Sequence, residues 1–188
     1  MSATRRVLLV AATEPELGGH DGLACGVGPV ESAAATARAL AEHSPDAVLH
    51  IGLAGGVDLE PGTLVLGTES LYADIVAAIP VVSRVEPNAE LLSALRAAFP
   101  EAPVLPIGTS AAVSEPSNRL LQGVGLRVEA MEGFGVLRAC ELAGVPAVEV
   151  RAISNELGEE DRSCWELERG LEALRKALPR LLAAAQRR

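Results

Sequence analysis

The sequence contains no run of about 20 apolar residues, the length needed to cross a bilayer. Arg5 and Arg6 precede an apolar run from Val7 to Ala12. This run is too short for the core of a signal peptide, and Glu14 and Glu16 interrupt it at once. We therefore expect no membrane partner and no secretory leader.

Cysteine and basic residues are also scarce. Cys25, Cys140 and Cys164 are far apart, and no CxxC motif or Cys/His cluster has metal-ligand spacing. The sequence thus predicts reduced thiols in a cytoplasmic protein and no bound metal. With 16 Lys and Arg against 25 Asp and Glu, the net charge is −9. Because a nucleic-acid surface needs a basic patch that displaces counterions, nucleic acid is excluded as an expected partner.

Apolar residues are abundant: 49% of the 188 residues are hydrophobic and 22% are charged. A chain of this length fits one domain, and it can bury about 70% of the surface that it exposes when unfolded. No internal repeat or linker divides it. We therefore expect residues 1–188 to form a single, well-cored domain.

Strand-like and helix-like segments alternate along the chain. Val7–Ala12 and Asp46–Gly52 are apolar runs of strand length, whereas Asn88–Phe99 has helical spacing. Glu159–Arg188 is a longer helical pattern that Pro179 should kink or divide. The order of these segments predicts an α/β fold, specifically a three-layer α/β/α sandwich with a central mixed sheet.

The stretch VEAMEGFGVLRACELAGVPAVEVRAISN places polar residues where an apolar core does not need them. Its middle part has helical period, and Glu132 lies roughly 150° around the helix from the stripe marked by Arg138 and Glu141. This position directs a carboxylate toward the buried side. The alternative is an acidic residue in the first helical turn, favoured by the helix dipole and reached by solvent.

Polar residues also follow two predicted strands. Ser154 and Asn155 come directly after the apolar run Val145–Ile153, and Glu14 and Glu16 come after the first strand. In an open α/β sheet, ligands bind beyond the carboxyl ends of the strands, so these side chains are expected beside one crevice. For the two glutamates, ordinary loop acids flanking a proline are the alternative interpretation.

Two glycine-rich segments are expected to be turns. Leu53–Gly56 follows a strand, and its glycines allow a ligand to approach the backbone closely. Cys25–Pro29 precedes a helix and contains a GxG motif, but the third glycine of a dinucleotide fingerprint is missing. Asp46 lies before the second strand and not at its end, which also differs from that fingerprint. We therefore expect a tight turn here and no cofactor.

The motif VEAMEG with the helix after it, and the later GVPAVEVRAISN, resemble the nucleoside phosphorylase and nucleosidase superfamily. The Glu-x-Met-Glu-Gly form, the final Asn155, and Arg162 and Trp165 downstream are most similar to its futalosine hydrolases. Those enzymes remove hypoxanthine from futalosine during menaquinone synthesis. The resemblance extends over nearly the whole chain, and it implies a nucleoside substrate and a homo-oligomer that completes its sites at subunit interfaces.

The resemblance also implies roles for individual residues. Glu16, with Glu14 as its competitor, would activate the attacking water, and Asn155 would bind the leaving purine. Arg84 and Arg119 are candidates for binding the carboxylate of futalosine. The expected substrate contacts are Ala54, Gly55, Met131, Glu132 and Ser154, and the residues expected to stack on the base or support the site are Phe134, Arg151, Arg162 and Trp165.

Two positions favour hydrolysis over phosphorolysis. His50 and Leu53 stand where phosphorylases of the superfamily tend to have an arginine and a hydroxyl that hold phosphate, and Glu16 would repel an anion.

Asn155 stands where adenine-releasing nucleosidases have aspartate. Its amide can face an oxo-purine but has no acidic proton, which leaves a water or Asp161 to supply one.

The expected function is therefore hydrolysis of the N-glycosidic bond of futalosine. One alternative is a nucleosidase of the methylthioadenosine/S-adenosylhomocysteine type, and another is a purine nucleoside phosphorylase. A third is a non-catalytic nucleoside-binding protein, since a fold alone does not determine a function.

Overall fold

The computed structural model describes residues 4–75, 77–112 and 125–187. These residues form a mixed sheet of eight strands, with four α-helices. The strands are β1 (Val7–Ala11), β2 (Leu23–Ala24), β3 (Ala47–Gly56), β4 (Leu64–Tyr72), β5 (Arg84–Val85), β6 (Val104–Thr109), β7 (Val128–Ala130) and β8 (Ala147–Glu156). The helices are α1 (Pro29–His43), α2 (Ala89–Ala98), α3 (Gly133–Ala143) and α4 (Leu167–Ala185), and 3₁₀ turns lie at Glu14–Leu17 and Arg162–Cys164.

The sheet is mixed, as predicted. Strands β1, β3 and β8 are parallel, β4 runs antiparallel to β8, and β6 runs parallel to β4. The short β7 pairs with both β6 and β3, so β3, β8, β4, β6 and β7 form a closed ring. One apolar cluster takes side chains from all five of these strands, including Ala54, Val65, Ile107, Val128 and Ile153.

Helices cover both faces of the sheet, which confirms the three-layer architecture. On one face α2 and α4 pack together, and Leu91 and Leu174 join Leu49 in the larger core cluster. On the other face α1 and α3 pack together, and Leu137 joins Val48. Because neighbouring residues of a strand point to opposite faces, β3 contributes to both clusters.

Two predicted features are wrong. Leu53–Gly56 is not a turn, because β3 continues to Gly56 and pairs with β8 through a register shift after Ala54. Of the two outcomes predicted for Pro179, a kink or a division of the C-terminal helix, division is wrong, since Pro179 lies inside α4. Leu178 and Leu181, both fully buried, pack on either side of it. Their burial compensates for the backbone hydrogen bond that proline cannot donate.

Within residues 4–75, 77–112 and 125–187, no helix has the length and apolar character to span a membrane. The same residues contain no group of three or more His, Cys, Asp and Glu side chains able to hold a metal ion. The three cysteines are free, and burial raises the pKa of Cys25 and of Cys140 to about 12. These two thiols are therefore neutral side chains of the core.

Candidate active site

The site is built around Arg151, a charged residue in the apolar strand β8. Its side chain is fully buried. The guanidinium donates to Glu149 Oε1 at 2.8 Å and to Glu132 Oε2 at 3.2 Å, and its Nη2 lies 2.6 Å from His50 Nε2. A buried charge is costly unless it is paired and hydrogen-bonded, and here two carboxylates and an imidazole surround it. Arg151 therefore lies behind the lining of the site and holds the carboxylate of Glu132 in position.

His50 is fixed in one tautomer by this arginine. Because every guanidinium nitrogen is a donor, His50 Nε2 must accept, and the proton lies on Nδ1, which donates to the Val10 carbonyl at 3.1 Å. Burial, and then the positive charge of Arg151, hold the pKa of His50 well below its usual value of 6.5. The imidazole is neutral with both nitrogens occupied, so it offers no charge to a phosphate.

Glu149 was missed by the sequence analysis. It is fully buried, binds Arg151 through one oxygen and accepts from the Ser70 hydroxyl through the other. Gly133 leaves room for it, because a Cβ there would overlap the carboxylate. The signal was present in the sequence, since Glu149 and Arg151 lie two residues apart on one face of an apolar strand, where each can neutralise the other.

Glu132 precedes α3 and is only 4% exposed. Its Oε1 accepts the Gly28 backbone N–H at 3.2 Å, and its Oε2 accepts from Arg151. Burial raises its pKa above 4.5, although Arg151 and the Gly28 N–H act in the opposite direction. The predicted inward direction of this side chain is confirmed, and the solvent-exposed alternative is wrong. Gly28, with φ of 97°, adopts a conformation that favours glycine and is the N-cap of α1.

Glu16 lies in the 3₁₀ turn after β1 and is 7% exposed. Its Oε2 accepts from the Thr13 backbone N–H at 2.9 Å and from the Thr13 hydroxyl at 2.8 Å. Its Oε1 accepts from the Leu53 N–H at 2.9 Å. Gly52 is required beside it, since a Cβ there would overlap Arg151 Nη1 and come within 3.0 Å of Glu16 Oε1. Three donors therefore orient this carboxylate.

Asn155 lies near the end of β8 and is 8% exposed. Its Oδ1 accepts from the Ser154 hydroxyl at 2.8 Å, and its Nδ2 donates to the Glu156 carbonyl at 3.0 Å. A reversed amide would place its oxygen against that carbonyl, so this hydrogen-bond network assigns the orientation. Each end of the amide keeps one further bonding position, a lone pair on Oδ1 and an N–H on Nδ2.

Glu16, Glu132 and Asn155 meet in one cavity of about 420 Å³, whereas Arg151, His50 and Glu149 lie outside its lining. Its size falls within the range of about 300–1,000 Å³ that is usual for small-molecule sites. The sequence analysis missed some of its lining, including the acidic Glu129 and the apolar Val27, Leu167 and Leu171. The expected site residues that line it are Glu16, Ala54, Gly55, Met131, Glu132, Ser154, Asn155, Arg162 and Trp165.

Other candidates do not line this cavity. Glu14 is exposed, and Phe134 is a core residue that stacks on Tyr72 with ring centroids 5.2 Å apart. Phe134 is therefore unable to stack on a base held in the cavity, because its ring is occupied inside the protein. Arg84 pairs with Glu69 at 3.5 Å, away from the cavity lining.

Two further candidates have different outcomes. Asp161 is exposed and accepts hydrogen bonds from the backbone and hydroxyl of Ser163, which lower its pKa. A carboxyl group with a lowered pKa is a poor proton donor, and Asp161 is not among the residues that line the cavity. Arg119 lies outside the described residues.

Comparison with known sequences identifies the family. The family model of the phosphorylase superfamily matches residues 22–187. A futalosine hydrolase of Streptomyces coelicolor is 33% identical, over 87% of this chain and 78% of that protein. A futalosine hydrolase of Thermus thermophilus is 31% identical, over 86% and 80%. A 5′-methylthioadenosine/S-adenosylhomocysteine nucleosidase of Chromohalobacter salexigens is 27% identical, over 73% and 67%.

Solved structures have the same fold. The 5′-methylthioadenosine/S-adenosylhomocysteine nucleosidase of Colwellia psychrerythraea, in complex with adenine, superposes with a TM-score of 0.85 at 22% identity, covering 98% of this chain and 97% of that one. Futalosine hydrolase of Helicobacter pylori superposes with a TM-score of 0.84 at 19% identity, covering 94% and 97%. At identities of 22% and 19%, the structural similarity shows that the fold is shared, and it shows nothing further.

Proposed function

The chain belongs to the phosphorylase superfamily, and we propose that this N-glycosyl hydrolase cleaves futalosine and releases hypoxanthine. The observation that carries the proposal is that the buried side chains Glu16, Glu132 and Asn155 line one cavity. They come from three distant parts of the chain, and each has the chemistry that one part of a nucleoside requires.

The two carboxylates would act on the sugar. Glu16 orients and deprotonates the attacking water, which a carboxylate held by three donors can do without moving. Glu132 accepts hydrogen bonds from the ribose 2′- and 3′-hydroxyls beside the Met131 backbone. Both negative charges also stabilise the positive charge that develops on the sugar as the glycosidic bond breaks.

The amide of Asn155 would bind the leaving base. Its spare N–H and lone pair match the carbonyl oxygen and ring N–H of a 6-oxopurine, whereas a 6-aminopurine presents the opposite pattern at that edge. The Ser154 hydroxyl and Glu156 carbonyl resist reversal of the amide. The proton that the purine gains would come from water, because Asn155 has none to give.

Water is favoured over phosphate as the nucleophile. Arg162 is the sole Lys or Arg among the described residues that line the cavity, and it lies in an exposed turn, while Arg151 and His50 are buried and engaged. The interior of the cavity presents Glu16 and Glu132, which would repel a phosphate dianion. A purine nucleoside phosphorylase is therefore the weaker alternative.

A nucleosidase for methylthioadenosine or S-adenosylhomocysteine is the second candidate function. It is favoured by the sequence and fold similarity to nucleosidases of that name. It is disfavoured by Asn155, because an amide lacks the acidic proton that an adenine leaving group would take from aspartate. A non-catalytic nucleoside-binding protein, the third alternative, is disfavoured by the 33% and 31% identity to futalosine hydrolases.

The test is a product assay with futalosine, methylthioadenosine and inosine, each with and without phosphate. We expect hypoxanthine from futalosine at a rate independent of phosphate. Phosphate-dependent turnover would support the phosphorylase, and equal or better cleavage of methylthioadenosine would reject the assigned specificity.

A matched pair of variants tests the catalytic role. Glu16→Gln should lower kcat by about 10²–10⁴-fold, the usual contribution of a general base. Glu14→Gln changes an exposed neighbour outside the cavity lining and should leave kcat nearly unchanged. Tight nucleoside binding with no hydrolysis in the unaltered protein, unaffected by Glu16→Gln, would point to the binding protein.

A further inference from the structure

The cavity opens through a rim that is mainly apolar. Val27 is 55% exposed and Leu167 is 42% exposed, and Trp165 is half-buried beside them. Large exposed apolar side chains around a cavity mark a surface that a ligand covers. Arg162 is the one basic exception among the described lining residues, in a chain of net charge −9.

The side chain of Arg162 is held in place without being neutralised. Its guanidinium carbon lies 5.5 Å from the centroid of the Trp165 ring, and the Trp165 indole N–H donates to the Glu159 carbonyl at 2.9 Å. Among the described residues, no carboxylate pairs with Arg162, whereas Arg169 and Arg175 on α4 both have glutamate partners. A guanidinium that stacks on a ring keeps its N–H edges free for a planar anion.

The buried part of the cavity leaves one direction for the rest of a substrate. Glu132 and Asn155, the proposed ribose and base contacts, are 4% and 8% exposed. Whatever extends beyond the base and the ribose must therefore leave through the rim. An anionic extension would be repelled by the carboxylates of the interior, and a cation at the rim is positioned to offset that repulsion.

We infer that Arg162 recognises a carboxylate at the end of an apolar or aromatic 5′-substituent, with Trp165 holding the guanidinium and contacting the apolar part. The inference rests on the proposed function, since futalosine carries a carboxylate on its aromatic 5′ group. The guanidinium binds the carboxylate through two parallel N–H bonds. Arg84, the earlier candidate for this role, is paired with Glu69 and lies outside the cavity lining.

The test compares futalosine with its methyl ester, which has the same base, ribose and aromatic group but no negative charge. In Arg162→Gln, kcat/KM for futalosine should fall about 10-fold or more, mainly through KM, because a charge-assisted hydrogen bond at the rim is lost. For the ester it should change by no more than about twofold, so the preference for the acid over the ester collapses. Arg162→Lys keeps the charge without the fork and should retain part of the preference.

Arg180→Gln is the matched control. Arg180 stacks on Phe99 with a guanidinium-to-centroid distance of 4.9 Å, in an arginine–aromatic pair that does not line the cavity. Its removal should leave the acid-to-ester preference unchanged. An unchanged preference in Arg162→Gln would overturn the inference while leaving futalosine hydrolysis intact.

Calorimetric binding of the acid and the ester separates the two claims if turnover is absent. No hydrolysis of futalosine by the unaltered protein rejects the proposed function. The binding ratio then decides the inference alone: a preference for the acid that Arg162→Gln removes supports it, and no preference or no binding overturns it.

Discussion

The amide of Asn155 is hydrogen-bonded at both ends, so a base bound beside it would meet the amide in one orientation. The Ser154 hydroxyl binds the oxygen and the Glu156 carbonyl binds the nitrogen. A freely rotating amide would accept an oxo-purine and an amino-purine with similar cost. Since reversal here would place the amide oxygen against the Glu156 carbonyl, an amide in the proposed role would discriminate between the two purines.

Replacing Asn155 by Asp should move preference toward 6-aminopurines. Aspartate accepts from an exocyclic amine, repels a carbonyl oxygen, and can also carry a proton for the leaving base. We expect the ratio of kcat/KM for methylthioadenosine to that for futalosine to rise at least about tenfold, as is usual when polar groups at a binding site match or fail to match. Asn88→Asp, at the N-cap of α2, is the control, and an unchanged ratio in Asn155→Asp would remove the assigned role.

The raised pKa of Glu132 predicts a pH dependence of sugar binding. Only the ionised carboxylate accepts hydrogen bonds from both ribose hydroxyls. Because burial raises its pKa above 4.5, protonation should weaken inosine binding at a higher pH than it would with an ordinary glutamate. The same shift means that protonated Glu132 favours the folded state, and that its ionisation lowers stability as pH rises through the folded-state pKa.

Calorimetric affinities measured across the acidic range test this dependence. Hypoxanthine, which has no ribose, is the control ligand and should lack the step, and Glu132→Gln should remove the step for inosine. A step at or below 4.5 would contradict the raised pKa of Glu132. An equal step for both ligands would contradict the proposed ribose contact.

At the scale of elements, β8 supplies both the buried ion pair behind the cavity and two of the residues that line it. Glu149 and Arg151 share one face of the strand and form a buried ion pair, and Ser154 and Asn155 follow where the pairing with β3 shifts register. The shift after Ala54 also brings Gly55 against the Asn155 amide, where a Cβ would lie 3.1 Å from Nδ2. The bulge therefore sets where the amide points, and a regular ladder would displace it.

Gly133, the first residue of α3, lies directly against the Glu149 carboxylate of this ion pair. Glycine to alanine inside a helix ordinarily stabilises by about 0.5–1 kcal/mol. At Gly133 we expect the opposite sign, a loss of about 1–3 kcal/mol, because the new Cβ overlaps the Glu149 carboxylate. Urea unfolding measures the change, and Gly144→Ala, where a Cβ would meet no neighbour but φ is 68°, provides a comparison that costs backbone strain alone. A stabilised Gly133→Ala protein would show that Glu149 is not confined there.

At the scale of the whole molecule, homo-oligomer formation remains a prediction. Val30 on α1, which is 75% exposed and does not line the cavity, is an apolar side chain that a second copy would cover. We expect a homo-oligomer in sedimentation equilibrium, and Val30→Glu should shift it toward the monomer. Leu142→Glu, which changes a residue on α3 that is 71% exposed, is the control. A monomeric unaltered protein would contradict the expectation.

How much of the site could be predicted depended on the distance over which each residue acts. Glu132 was correctly directed inward, but it precedes α3, and its direction is determined by Arg151 and the Gly28 N–H and not by helical period. Phe134 was wrongly considered for stacking on the base. Its actual partner, Tyr72, is far away in sequence, so the sequence did not reveal this contact. Glu149 was passed over although its partner lies two residues away, since strand periodicity alone does not say what covers each face.

The sequence by itself determined the alternation of strands and helices, the acidic and apolar composition, and the chemical types available to a site. Those follow from side-chain polarity and local spacing, which do not depend on the rest of the fold. The tertiary structure alone decided that Glu16 and not Glu14 enters the cavity, that Gly28 donates to Glu132 across 104 residues, and that Arg162 and not Arg84 stands at the rim. The reason is physical: loop conformation and strand register determine which residues that are distant in sequence come into contact, and local spacing does not.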